Sequence, residues 1–364
     1  MPGIASAAIT VFYLFDVAEA ITLADLPEAI RRFMSEARLV PTPAIPSYVG
    51  YQQPPRVLEG AAVGIEGPAG FTSRFKVYDY GIVSVALTRP FAGSWAELIA
   101  IGQQIVENEA LEAQAEAACR ALVERLTPVM VRPRRSFLTE DYVVFVVTAL
   151  EERLSGSALL ERFGEEIAML LRGERHALSR QERQEVLRDS LSYFAHDLVV
   201  PTWNGALVYD TEAGAASALE ILELANSQLL QYRYYDDLLD AELAGTYAKL
   251  QAPRWYDALA GRRFTRAARH LHQVYIEVNE LTDRTENALK VVGDMYAARL
   301  FARVGARVGL DGWKASVEDK LKTLDGIYRF AVEQTGMRRG QFLEATIVLI
   351  LILELALVLL GIMA

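Results

Sequence analysis

Residues 7–15 read AAITVFYLF, and this apolar stretch decides how the N-terminal part of the chain folds. Its β-branched and aromatic residues favour an extended strand over a helix. Nine residues are about half of what a helix needs to cross a membrane. No basic residue precedes Arg31, so the positively charged start of a secretory signal is missing. We therefore expect a buried strand here.

Strand and helix signals alternate over the surrounding 150 residues. Five prolines between residues 41 and 55 interrupt the pattern and mark a surface loop. The predicted elements are a strand at 8–15, a helix at 23–36, strands at 57–66 and 75–87, a helix at 94–126 and a strand at 142–150. The order βαββαβ is typical of a ferredoxin-like sandwich. We predict an α+β fold, with a ferredoxin-like domain over residues 1–150.

The second half of the chain has a helical pattern, apart from an extended stretch that ends at Pro201. Apolar residues recur at spacings near three and four through residues 222–250, as in a coiled coil. A matching stripe occupies residues 271–292, and Pro253 and Gly261 lie between the two stripes. This pattern predicts a mainly helical domain over residues 151–336, with a long antiparallel helical hairpin.

The C-terminal residues form the most apolar part of the sequence. Residues 345–364 contain thirteen Ile, Val and Leu residues and one charged residue, Glu354. Because Arg338 and Arg339 precede this run and no basic residue follows it, we predict a transmembrane tail anchor at residues 337–364. The rest of the chain would face the cytoplasm at a bacterial inner membrane, or the matrix of an organelle. The alternative is a buried core helix of a soluble oligomer.

Glu354 is an acid within this apolar run, about 15 Å of helix beyond Glu344. It could belong to a proton or ion path, or lie protonated or paired at a helix interface. One acid on one helix makes no path, so the interface is favoured. We expect a homo-oligomer that forms through the helical hairpin and the tail, with the lipid bilayer as a further partner.

Several stretches together resemble the family named for "required for meiotic nuclear division", whose bacterial members are called YagE-like. The matching pieces are residues 78–87 (YDYGIVSVAL), 229–243 (LLQYRYYDDLLDAEL) and 283–294 (DRTENALKVVGD), the pair Pro201 and Trp203, and the tail with Arg338, Arg339, Glu344 and Glu354. The chain departs from the family pattern at Asn204 and Gly205, where a more acidic and less flexible sequence is expected. The resemblance implies a membrane-tethered scaffold linked to organelle translation, with a possible protein partner in the translation machinery.

Charge and cysteine content narrow the possible partners. A net charge of -10 disfavours nucleic acid as a direct ligand, since that binding depends on Lys and Arg. Basic clusters at residues 132–135 and 262–269 could contact phosphate or anionic lipid, or could be solvated helix ends. The single cysteine, Cys119, cannot form an intramolecular disulfide, which suits a reducing compartment.

No pattern in the sequence predicts a catalytic residue, a cofactor or a metal. His270 and His272 lie two residues apart, whereas a zinc pair on a helix needs a spacing of four. The glycines at 60, 64 and 67 lack the spacing of a dinucleotide fingerprint and the Lys of a phosphate loop.

One polar set lies within the first apolar stripe: Arg233, Asp236 and Asp237. Arg233 lies about one helical turn before Asp236, so the two could form a buried ion pair that fixes helix register. The same residues could instead form a ligand or acid–base site. Two functions therefore stand as hypotheses. One is a self-associating, non-enzymatic scaffold or adaptor, and the other is a small-molecule-binding protein or hydrolase with a site near Arg233 and Asp236.

Overall fold

The structure is a computed structural model that describes residues 3–38, 53–106, 108–251, 274–276, 278–280 and 295–359. The chain divides into two compact units. Unit 1 comprises Met1–Tyr234 and Thr282–Lys314, and unit 2 comprises Tyr235–Leu281 and Ala315–Ala364.

Unit 1 is built on a single mixed sheet. Within the described residues, eight strands form this sheet in the order β2-β3-β4-β5-β1-β6-β8-β7. The strands are β1 (Ile4–Ile21), β2 (Met34–Glu36), β3 (Arg56–Glu59), β4 (Thr72–Val77), β5 (Ile82–Gly93), β6 (Met130–Leu150), β7 (Leu198–Pro201) and β8 (Gly205–Tyr209). Strands β6 and β8 run parallel, and the other neighbouring pairs run antiparallel.

The apolar stretch at residues 7–15 lies inside β1, at the centre of the sheet. There Val11 pairs with Leu87 of β5 on one side and with Val143 of β6 on the other. Successive side chains of a strand point to opposite faces, so β1 contributes to two separate cores. Val11 belongs to one core and Phe12 to the other, and both side chains are buried.

Helices cover both faces of the sheet. The helices are α1 (Glu28–Arg31), α2 (Trp95–Val106), α3 (Glu109–Leu126), α4 (Gly156–Arg172), α5 (Arg180–Leu187), α6 (Glu212–Gln251), α7 (Met295–Val308) and α8 (Leu310–Leu359). Helices α2, α3 and α4 fill the first core, with Trp95 stacked on Phe163 at 5.2 Å between ring centroids. The unit 1 part of α6 and helix α7 fill the second core, through residues such as Leu222 and Leu300.

The predicted ferredoxin-like βαββαβ domain is wrong, because the described residues form an α+β fold with an eight-stranded mixed sheet. Residues 75–87, predicted as one strand, belong to two strands, β4 and β5. The turn between them needs Gly81, whose φ is +86° and where a Cβ would lie 1.9 Å from the carbonyl oxygen of Ala18. The sheet also continues beyond residue 150, because β8 pairs with β6 and β7 adds the edge.

The predicted transmembrane helix is also wrong. In the part of the chain that the structure describes, no helix is both long and apolar enough to cross a membrane. Residues 345–359 of the apolar tail are the end of α8, a 50-residue helix that begins at Leu310 and carries charged residues along its first half. The prediction considered the apolar residues of the tail without the rest of that helix. The tail-anchored, single-pass membrane location that depended on this prediction is therefore not supported.

Part of the predicted helical hairpin can be located. Helix α6 spans 40 residues and contains the whole first stripe, 222–250. The second stripe is described at 274–276 and 278–280, where Val274 and Val278 are buried on a helix. The predicted turn around Pro253 and Gly261, and the remainder of the second stripe, lie outside the described residues.

Candidate functional site

Charged and polar side chains lie among the apolar residues between the sheet and the unit 1 part of α6. On α6 these residues follow the spacing of one helix face, at positions 220, 223, 227 and 234. We call this set the polar layer. It consists of Arg74, Lys76, Glu220 and Glu223 at one end, Tyr80 and Ser227 in the middle, and Asp16, Arg134, Tyr234, Glu140 and Arg233 at the other end.

The first end is organised around Lys76, whose side chain is fully buried. Lys76 lies between Phe75 and Val77, which point to the first core, so the lysine points to α6. Its Nζ donates to Glu220 Oε2 at 2.8 Å and also to Glu223 Oε2. Two carboxylates one helical turn apart therefore converge on one ammonium group.

Arg74 completes the charge balance at this end. It lies two residues before Lys76 on the same face of β4, and its Nη2 is 3.8 Å from Glu223 Oε2. Burial alone raises the pKa of Glu223, but Lys76 and Arg74 outweigh that effect and hold the pKa below its usual range. The two acids and two bases thus balance each other in formal charge.

The sheet register explains how α6 reaches both ends of the layer. Lys76 pairs with Ser84, Ser84 with Leu14, and Leu14 with Glu140, so these residues form one row across four strands. At about 4.8 Å per strand the row spans about 14 Å. The ten residues of α6 from Glu223 to Arg233 span about 15 Å. Helix α6 thus crosses the strands, with Glu223 meeting Lys76 and Arg233 meeting Glu140.

The second end is organised around Asp16, which is completely buried on β1. Arg134 Nε lies 2.7 Å from Asp16 Oδ2, and the Arg134 guanidinium stacks 3.5 Å from the ring centroid of Tyr234 on α6. Among the described residues, no donor is aligned for a hydrogen bond with either oxygen of Asp16. Burial raises the pKa of Asp16 to about 6, although Arg134 opposes the rise.

The predicted pair of Arg233 and Asp236 is not the pairing that the structure shows. In unit 1, Arg233 forms an ion pair with Glu140. In unit 2, Asp236 accepts a hydrogen bond from Ser316 Oγ at 2.6 Å and pairs with Lys320 at 2.8 Å. Asp237, the third residue of the set, is exposed.

The remaining predicted residues lie away from the polar layer. Pro201 is buried at the end of the edge strand β7, and Trp203 is 62% exposed in the turn that follows. Four tail residues belong to α8, but their side chains lie outside the described part: Arg338, Arg339, Glu344 and Glu354. In the first basic cluster, Arg132 pairs with Glu19 at 2.8 Å. The second basic cluster, 262–269, is outside the described residues.

The polar layer has little of the character of a catalytic centre. Lys76 is enclosed and neutralised by the two carboxylates, so its amine cannot reach a substrate. Across the residues that the structure describes, no group of three or more His, Cys, Asp and Glu side chains is placed to hold a metal ion. The arrangement instead fixes the position and register of α6 on the sheet.

The first part of the chain is similar in sequence to an archaeal protein. Residues 6–216 match the family described as "Uncharacterized protein MJ0711, N-terminal domain". The chain is 26% identical to the uncharacterized protein MJ0711 of Methanocaldococcus jannaschii over 193 residues, which are 53% of this chain and 58% of that protein. The chain thus spans little more than half of this relative's length. No solved structure matches.

These matches correct the resemblance drawn from the sequence. They point to the MJ0711 N-terminal domain and not to the meiotic nuclear division or YagE-like family. The stretches at 229–243 and 283–294 and the tail, which carried much of that resemblance, lie outside the matched residues 6–216. The expected link to organelle translation therefore loses its basis.

Proposed function

We propose that this chain, which belongs to the family of the MJ0711 N-terminal domain, is a non-catalytic scaffold or adaptor that self-associates through its long helices. One observation carries the proposal. Large apolar side chains near the C-terminal end of α8 are each more than half exposed in the single chain: Ile347, Val348, Ile350, Leu351 and Ile352. Exposed apolar surface of this kind marks a site of association.

This apolar surface is wider than a helix needs to pack on one neighbouring helix. At 3.6 residues per turn, these five exposed side chains cover roughly 200° of the helix circumference. A helix that packs on one neighbour has an apolar stripe of about 100°. A second copy of the chain offers an identical α8 surface, and symmetric contacts between identical patches are the commonest way for a protein to assemble.

The polar layer supports the non-catalytic part of the proposal. Its charged side chains are engaged with one another between α6 and the sheet, and the central ones are buried. Such networks mainly specify how elements pack. The alternative of a small-molecule or hydrolytic site near Arg233 and Asp236 has less support, because these residues have separate partners, Glu140 and Lys320.

Sedimentation velocity of the full chain tests the proposal. The wild type should sediment as an assembly of two or more chains. The double variant Ile347→Lys/Leu351→Lys should shift toward the monomer by at least about tenfold in association constant, because association would bury the new charges. The matched control Lys322→Ala changes an exposed residue of the same helix and should assemble like the wild type. A monomeric wild type, or a double variant that assembles normally, would refute the proposal.

A further inference from the structure

The Asp16 end of the polar layer lies where α6 leaves unit 1. Unit 1 ends its first segment at Tyr234, and the ring of that residue is the platform on which Arg134 stacks. Arg134 also contacts the buried carboxylate of Asp16. The position of the Arg134 guanidinium on Tyr234 is therefore linked to the charge of a group in the central strand.

The contact between Asp16 and Arg134 is close but poorly aligned. The two groups are 2.7 Å apart, yet within the described chain neither oxygen of Asp16 receives an aligned hydrogen bond. Arg134 Nε and Nη2 are likewise buried without an aligned acceptor among the described residues. An ion pair that lacks these hydrogen bonds does not recover the full cost of desolvating its charges. Binding a proton at Asp16 is therefore easier than at a well-paired carboxylate.

The surroundings leave Arg134 as the main counter-charge of Asp16. The residues opposite Asp16 in the register, Ile82 on β5 and Leu138 on β6, are apolar. From α6, Tyr234 faces the pair. Two other charged groups on these strands have partners of their own: Glu19 on β1 pairs with Arg132, and Glu140 on β6 pairs with Arg233.

We propose that Asp16, Arg134 and Tyr234 form a proton-operated latch that holds α6 to the sheet at the end of unit 1. When Asp16 is ionised, it keeps the Arg134 guanidinium stacked on Tyr234. When Asp16 binds one proton from solvent, Arg134 loses its anion, turns toward water and leaves the ring. The α6 backbone around Tyr234 is then attached less firmly. The latch does not depend on the proposed self-association.

Hydrogen–deuterium exchange of the full chain tests the latch. In the wild type, amides in residues 230–236, corrected for intrinsic rates, should exchange about tenfold faster at pH 5 than at pH 7.5, the scale of a desolvated cation–π contact. The midpoint should lie near pH 6, where the pKa of Asp16 lies. In Asp16→Asn the side chain is permanently uncharged, so exchange should be fast at both pH values.

Two further variants separate the latch from a general loss of structure. Tyr234→Leu removes the platform but keeps the ion pair, and should abolish the pH dependence in residues 230–236. Glu140→Gln disturbs the neighbouring pair with Arg233 and should leave the pH dependence in residues 230–236 unchanged. Equal protection of the wild type at both pH values, or pH dependence that survives in Asp16→Asn, would overturn the inference. Exchange in β1 and β6 reports whether each variant is folded.

Discussion

Both ends of the polar layer bury charged groups against α6, but the buried charges are hydrogen-bonded more completely at the Lys76 end than at the Asp16 end. Lys76 is hydrogen-bonded to two carboxylates, and Arg74 supplies a second positive charge. Asp16 has one arginine at 2.7 Å, without an aligned hydrogen bond. The first arrangement holds the pKa of Glu223 below its usual range, whereas the second leaves the pKa of Asp16 raised to about 6. Equal burial thus accompanies a lowered carboxyl pKa at one end and a raised carboxyl pKa at the other.

The difference has a geometric origin. Glu220 and Glu223 are one turn apart on α6, so a single ammonium group beneath the helix can reach both. The Arg134 guanidinium contacts Asp16 and also lies over the Tyr234 ring, 3.5 Å from its centroid. In that position neither Nε nor Nη2 of Arg134 has an aligned acceptor among the described residues.

The largest expected effect comes from breaking the compensated end. Lys76→Met should lower the free energy of unfolding by about 3 to 5 kcal/mol, because the buried Glu220 and Glu223 carboxylates lose the ammonium group that they share. Urea denaturation at pH 7 measures the change. Lys322→Met, at an exposed pair, is the control and should change stability by less than about 0.5 kcal/mol. A loss of similar size in both variants would mean that the cluster contributes no specific stability.

The next effect is a gain in stability at the other end. A pKa of about 6 in the folded state against an ordinary value of 3.8 means that the native state binds the proton of Asp16 more tightly than the unfolded state. The contribution of Asp16 to stability is therefore fully present below about pH 4 and is lost as pH rises through 6. Asp16→Asn, which does not titrate, should be more stable than the wild type at pH 8 by up to about 3 kcal/mol.

Denaturation of the wild type and Asp16→Asn at several pH values between 4.5 and 8 tests this sign. The difference in unfolding free energy should change little above pH 6.5 and should shrink steadily from pH 6 toward pH 4.5. Parallel pH profiles would show that Asp16 keeps an ordinary pKa in the folded protein. A loss of stability at pH 8 would show that the Arg134 contact more than compensates the buried charge.

Local sequence patterns located some elements of unit 1, but the predicted helix at 23–36 holds only short helical turns and β2, and the predicted strand at 57–66 ends at Glu59. The central strand at 8–15 and the helical region at 94–126 were both predictable, although Asn108 caps a new helix, α3, within that region. The turn at Gly81 was hidden, because apolar residues flank it on both sides and give the appearance of one long strand. The pairing of β6 with β8 joins residues about 60 positions apart, which no local pattern encodes.

The polar layer was missed for a related reason. Lys76 and Asp16 are single charges inside or beside apolar strands, and such residues signal a buried partner when their neighbours face the other core. The spacing of Glu220, Glu223 and Ser227 was a second available signal. Arg233 was recognised as a buried ion-pair candidate, but its partner came from β6 and not from its own helix. Helix spacing shows which residues share a face, but only the tertiary fold determines which residues of other elements contact that face.

The smallest effect is expected at the middle of the polar layer, where Tyr80 OH lies 2.7 Å from Ser227 Oγ. Ser227 Oγ also contacts the Leu224 carbonyl oxygen at 2.7 Å, so Tyr80 is the donor to Ser227. Tyr80→Phe removes the neutral hydrogen bond to Ser227 and should cost about 1 kcal/mol of unfolding free energy. Tyr193→Phe, at a residue that is 46% exposed, is the matched control. A Tyr80→Phe cost as large as that of Lys76→Met would show that the layer is stabilised through its centre and not through the charges at its ends.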